Sequence, residues 1–121
     1  MLDYDNFLLE DWRTVPYFIK YREEHSDIID DLDVYVNNRY IDLNFVKIKY
    51  HFKNKGYFSD LMKELIKFSK TVKKPIILSP ESSHGTPIEV LETIYKKFGF
   101  EYLDKHLPGI PYAVTMIRYP I

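Results

Sequence analysis

Residues 40–69 read YIDLNFVKIKYHFKNKGYFSDLMKELIKFS. From Tyr40 to Tyr50 the side chains alternate. Ile41, Leu43, Phe45, Lys47 and Lys49 take one parity, and Asp42, Asn44, Val46, Ile48 and Tyr50 take the other. A period of two is the mark of an extended strand. Lys53-Asn54-Lys55-Gly56 breaks it. Beyond the glycine, Phe58, Leu61, Met62, Leu65, Phe68 and Ser69 follow the i, i+3, i+4, i+7 spacing of one helical face. The segment is therefore strand, short loop, helix. Lys73-Lys74-Pro75 ends the helix, and Ile76-Ile77-Leu78 reads as a short buried strand.

Upstream, Val34 and Val36 place a strand at Asp33 to Asn37, and Asn37-Asn38 predicts the turn of a hairpin with the strand that follows. Before that, Trp12, Val15, Ile19 and Tyr21 fall near helical spacing between Leu8 and Glu24, with Pro16 as a kink or a fresh start. Downstream, Ser79 to Gly85 reads as a loop. Thr86-Pro87-Ile88-Glu89 predicts a helix start with Thr86 as N-cap, Pro87 at the first helical position and Glu89 closing a capping box. Val90, Leu91, Ile94, Tyr95 and Phe98 form that helix's apolar stripe, and Gly99 its C-terminal cap. Strands follow at Glu101 to Leu103 and Ala113 to Tyr119, around a turn at Gly109 and Pro111. The order α-β-β-α-β-α-β-β combines crossovers with hairpins. It predicts an α/β (α+β) fold in a single domain over residues 1–121, a central mixed β-sheet flanked by helices.

Composition narrows the function classes. The 121 residues are 45% hydrophobic and 17% aromatic, a globular balance. With no cysteine there is no disulfide framework, thiolate metal site or cysteine nucleophile. No apolar run approaches the roughly 20 residues of a membrane span. The acidic start, with Asp3, Asp5, Glu10 and Asp11, is unlike a signal peptide. The expectation is a soluble, cytoplasmic protein. The net charge of −1 conceals a split, since residues 1–46 hold eleven acids and four bases and residues 47–121 seven acids and thirteen bases. Such a division suits one surface for an anion and another for a cation.

The loop at Lys53-Asn54-Lys55-Gly56 could hold an anion, although by its residues alone an ordinary exposed turn between strand and helix is the reading favoured. A helix N-terminus presents amide groups with no acceptor in the helix, at the positive end of the dipole. Two lysines add charge, and glycine permits close approach of a ligand. Neither GxxxxGK[ST] nor GxGxxG is present. His25, His51, His84 and His106 show no metal-ligand spacing, so no metal is expected. His84, just before the capped helix, could serve as a base or anion ligand, but the reading its loop position favours is an exposed loop histidine.

These features resemble the GCN5-related N-acetyltransferase (GNAT) family. Its acetyl-CoA signature is a strand ending in an aliphatic residue, then Arg/Gln-x-x-Gly-x-Gly/Ala, then a helix. Here Lys53 stands at the Arg/Gln position, Gly56 matches the glycine, and Phe58 departs from the usual Gly or Ala. The family's Tyr-x-x-x-Gly-Phe segment is matched by Tyr95-Lys96-Lys97-Phe98-Gly99-Phe100, and Ala113 to Arg118 looks like its last strand. The match covers about residues 33–119. It implies acetyl-CoA as co-substrate in a cleft between two splayed parallel strands. Backbone groups of Val46, Lys47 and Ile48 would hold the pantetheine arm, and Lys53, Asn54, Lys55, Gly56, Tyr57, Phe58 and Ser59 the pyrophosphate. An amine attacks the thioester directly, with bound proximity supplying much of the rate. The resemblance implies Tyr95 as the acid for the leaving thiolate, with plain packing against the sheet as the other reading. It implies Asp42, on the same face as Ile48, as the candidate base, although a solvated strand acid is the reading its position favours.

The function so implied is acetyl transfer to an amine: a protein lysine, a polyamine or another small amine. The acidic half, with Asp30, Asp31 and Asp33, suits such a cation. A second reading is a catalytically inactive GNAT-fold interaction or regulatory module in which Phe58 closes the cofactor site. Nucleic-acid binding through Lys47, Lys49, Lys53 and Lys55 is opposed by their small number and a pI near 6.4. Exposed edge strands in such a sheet are of the kind that pair in homodimers.

Overall fold

The computed structural model describes residues 18–49, 55–80 and 87–121. Residues 18–24 are helical (α1). They are followed by β1 (Ile29–Val36), β2 (Ile41–Ile48), α2 (Tyr57–Val72), β3 (Ile76–Leu78), α3 (Ile88–Lys97), β4 (Glu101–Tyr102) and β5 (Met116–Arg118). The order matches the sequence pattern. The predicted first helix is seen from residue 18 onward, and Leu8 to Tyr17 lie outside the described residues.

Asn37 makes the first hairpin. Its Oδ1 accepts the amides of Arg39 (2.8 Å) and Tyr40 (2.9 Å), and its own amide donates to the Tyr40 carbonyl. This side-chain turn brings β1 and β2 together antiparallel. β1 starts at Ile29, four residues before the predicted Asp33. The adjacent acids Asp30 and Asp31 hid it, because a bulge there turns both outward while Ile29 and Leu32 remain buried.

β2 carries the matching irregularity. Val34 pairs with Leu43 and Asp33 with Phe45, so Asn44 is an extra residue in the ladder. One extra residue flips the face of everything after it. Ile41 and Leu43 are buried before the bulge, and Ile48 is buried after it. Uniform alternation along residues 40–50 does not hold. Asp42 therefore lies on the sheet face opposite Ile48, which corrects the expectation that they share one.

The five described strands run in the order β1-β2-β3-β5-β4, with β2 and β3 parallel and the other pairs antiparallel. Phe18 of α1, Leu61, Met62 and Leu65 of α2 and Tyr95 of α3 close over one face, against Ile41, Leu43, Ile76, Leu78 and Met116. The chain from Leu103 to Val114 crosses the other face, where Ile77, Ile110 and Ile117 are buried. The stripe predicted for α2 is the one it buries, with Phe58 and Phe68 partly covered. Lys73, at φ 59°, closes that helix. Ser69, fully buried, donates from Oγ to the Lys74 carbonyl at 2.6 Å.

α3 begins one residue later than predicted. Pro87 has ψ 146°, so it is the last non-helical residue, and its carbonyl accepts from the amides of Val90 and Leu91. Thr86 lies outside the described residues. At the other end Gly99 (φ 94°) donates to the Lys96 carbonyl, and Phe100 to the Tyr95 carbonyl at 3.1 Å. These two bonds are a Schellman cap. The last strand is shorter than predicted, Met116–Arg118.

Candidate active site: a parted strand pair beside a helix N-terminus

The parallel ladder between β2 and β3 holds two pairs, Ile41 with Ile76 and Asp42 with Ile77. β2 then runs six residues further, Leu43–Ile48, with no β3 partner. Its other edge stays paired with β1 as far as Ile48 and Ile29. Among the described residues, one edge of β2 is thus open from the bulge to its end. Open main-chain groups in a sheet invite an extended ligand. Val46, Lys47 and Ile48 all lie on this stretch. The ammonium of Lys47 is 3.5 Å from Asp30 across the hairpin, and Ile48 is buried in the core, so what they offer toward the opening is backbone.

Lys53 and Asn54 lie outside the described residues. Lys55 is exposed, and Gly56 turns the chain into α2 at φ 87° with no side-chain cap. The helical ladder starts with the Asp60 amide donating to the Gly56 carbonyl at 3.0 Å, so the amides of Phe58 and Ser59 precede it. A Cβ on Gly56 would meet nothing within 4 Å. Tyr57 opens the helix and is half-buried. The phenyl ring of Phe58 lies edge-on to Tyr95 (5.9 Å) and Phe98 (6.2 Å), toward α3.

Tyr95 is 7% exposed, between Phe58 and Phe100, the latter edge-on at 5.5 Å. The Schellman cap explains the Tyr-x-x-x-Gly-Phe pattern in physical terms. Tyr95 and Phe100 are the two positions that cap brings into apolar contact, and glycine supplies the left-handed φ between them. Burial pushes the Tyr95 phenol up to about 12. Its hydroxyl makes no hydrogen bond to any described residue, and a buried hydroxyl without a partner is costly.

Asp42 sits in the last rung before the strands part, half-buried on the face that carries Ile77. Its carboxyl is held above the usual carboxylate range by burial first and by the charge of Asp33 second. Asp33 accepts a 2.8 Å hydrogen bond from Nδ2 of the bulge residue Asn44. Tyr95 packs on the opposite face, so the two catalytic candidates flank the sheet rather than meet on one side. Sequence reading missed Asp33 as the neighbour of Asp42 and Arg118 as a partner of the α3 cap. Both contacts depend on strand register. His84 lies outside the described residues, and among them no group of three or more His, Asp or Glu could hold a metal ion. No described helix is long and apolar enough to cross a membrane.

No protein-family model matches the sequence, and no curated protein matches it significantly. Two crystal structures are similar in fold. Anti-CRISPR protein AcrVA5 superposes with a TM-score of 0.57 at 20% identity, over 71% of this chain and 85% of that one. Ard1 from Thermoplasma volcanium gives 0.52 at 16% identity, over 74% of this chain and 62% of Ard1, less than two thirds of its length. At these identities the likeness speaks for the fold: this chain has the mixed α/β fold of the GNAT acetyltransferases.

Proposed function

We propose that the protein is an acetyl-CoA-dependent N-acetyltransferase acting on a cationic amine. The observation that carries this reading is the parting of β2 from β3 after Asp42 and Ile77, beside the uncapped start of α2 at Gly56. Three features fit an acyl-CoA. The open edge of β2 suits the amide-bearing pantetheine arm, the amides of the first turn of α2 suit a pyrophosphate, and the Tyr95 hydroxyl, with no hydrogen-bond partner among the described residues, suits a sulfur or carbonyl acceptor.

In this reading Val46, Lys47 and Ile48 orient the arm through their backbone. Lys53 through Ser59 hold the pyrophosphate by amides and lysine charge. Acetyl-CoA, when bound, supplies the activated acetyl thioester. Asp42, its carboxyl raised above the ordinary value by burial and then by Asp33, takes the proton that the amine loses on attack. Tyr95 acts on the opposite side of the sheet. A phenol held near 12 is a weaker acid than a thiol, whose ordinary value is about 8.5. Tyr95 therefore stabilises a leaving thiolate by donating a hydrogen bond, and the thiol's proton comes finally from water. Asp30, Asp31 and Asp33, all exposed on β1, favour a cationic acceptor such as a lysine side chain or a polyamine.

The test is calorimetric binding of acetyl-CoA to wild type, Gly56→Glu and Gly56→Ala. Both variants strain the backbone at φ 87°, and glutamate alone also projects a carboxylate into the open space before α2. Micromolar binding by wild type and Gly56→Ala, lost in a folded Gly56→Glu, is the expected result. A folded wild type that binds no acetyl-CoA overturns the reading and favours the interaction module.

A further inference from the structure

Phe58 occupies the second position of α2, two residues beyond the turn at Gly56, yet its ring faces α3. Tyr95 is fixed from its own side by the backbone cap, through the Phe100 amide and the edge of the Phe100 ring. Those contacts belong to α3 and the residues just after it. Phe58 comes from a different helix, the one whose N-terminus opens the candidate site, and its edge-on ring borders Tyr95 from there. Both rings are tilted near 67° to Tyr95, so the phenol is held between two edges.

We propose that Phe58 is a positioning residue for Tyr95: its ring holds the phenol in one orientation and keeps water from it on the α2 side. This rests on the role given to Tyr95 above and extends it, because it ties the hydroxyl to the helix that opens at Gly56. A smaller residue at 58 would leave the same backbone amide in the first turn and open a gap beside the phenol. The charged neighbours do not compete for this role. Lys96 lies over the Tyr102 ring, Arg118 is bound to the Phe98 carbonyl, and burial is the sole cause of the raised Tyr95 phenol.

The test places 3,5-difluorotyrosine, whose phenol titrates near neutrality, at position 95 and follows it by ¹⁹F NMR in the full chain. In the Phe58 protein the titration is expected to lie well above that of the same residue in the urea-unfolded chain. In Phe58→Ala at least half of that displacement is expected to disappear, with a broader or second ¹⁹F line from a released ring. Phe58→Val, which opens a smaller gap, gives an intermediate displacement and serves if the alanine variant does not fold. An unchanged displacement and line shape in either folded variant overturns the proposal. The readout needs no turnover, so it is separable from the acetyltransferase reading. If Tyr95→Phe leaves kcat unaltered, the catalytic role of Tyr95 fails while the fluorine result still decides the role of Phe58.

Discussion

Nε of Arg118 donates to the Phe98 carbonyl at 2.8 Å and stands 3.1 Å from where a Cβ on Gly99 would lie. The last strand thereby grips the end of α3 at the residue that reverses it. Gly99 meets two requirements at once, a left-handed φ of 94° and room for the guanidinium. Gly99→Ala is expected to destabilise the fold by about 2–3 kcal/mol, combining backbone strain with a displaced charge-assisted hydrogen bond. Calorimetry should record a fall in Tm of roughly 10 °C. Arg118→Met removes the guanidinium, so the double variant should lose less than the sum of the single ones. Strict additivity would mean that the two residues are not coupled.

A second cap works the other way. Lys73 has φ 59°, the one described non-glycine residue in the left-handed region. Its amide donates to the Ser69 carbonyl, so the conformation is needed to end α2. Glycine adopts it without the Cβ clash. Lys73→Gly is expected to stabilise the chain by about 0.5–1 kcal/mol in urea unfolding, and a loss of stability would show that the lysine side chain contributes more than its backbone strain costs.

The elements and their order were legible because their signals are local: the 3.6-residue stripe of α2, the Asn37 turn, and Gly99 after an apolar helix face. The bulges were not, because a bulge is a property of a pair of strands. Even so, β2 carried a trace. Its apolar residues change parity, from Ile41 and Leu43 to Val46 and Ile48, and a strand with one buried face can do that only by inserting a residue. The consequence reaches the site. The bulge sets Asp42 on the face opposite Ile48, and the register sets Asp33 close enough to raise its carboxyl. The parting of β2 and β3 is not written in either strand's own residues and was expected only from the family resemblance, since it depends on where two distant strands cease to pair.

The acid pair predicts a pH dependence. Asp42 is raised above its ordinary value by burial and then by Asp33, so its ionised form is disfavoured in the folded chain. The penalty is absent below the ordinary carboxylate range, grows as pH rises through the interval up to the folded value, and is complete above it. Asp42→Asn is therefore expected to raise Tm at pH 7 and to lose that advantage by about pH 3.5. Asp33→Asn should act in the same direction by a smaller amount, and should add little once Asp42 is gone. In turnover, Asp33→Asn should move the acidic limb of kcat/KM to lower pH. A Tm difference for Asp42→Asn that is constant from pH 3.5 to 7 would rule out this linkage.

Tyr95 makes the sharpest demand. Its phenol rises from 10.0 to about 12 by burial, which corresponds to about 3 kcal/mol. Below pH 10 the phenol is protonated in both folded and unfolded chains and contributes no pH dependence. Between 10 and 12 the unfolded chain releases the proton while the folded chain keeps it, so stability falls by that amount as pH rises. Tyr95→Phe lacks the group. It is expected to match or exceed wild type in Tm at pH 7, since it removes a buried hydroxyl that has no described partner, and to decline less between pH 9.5 and 12. Catalysis should respond in the opposite sense. If the hydroxyl donates to a developing thiolate, its loss removes a charge-assisted hydrogen bond of about 1.5–3 kcal/mol, so kcat should fall roughly 10- to 100-fold with the Kd for acetyl-CoA little changed. Stability retained together with kcat lost identifies a group kept for chemistry. Stability lost with kcat intact would make Tyr95 a packing residue whose hydroxyl plays no part in transfer.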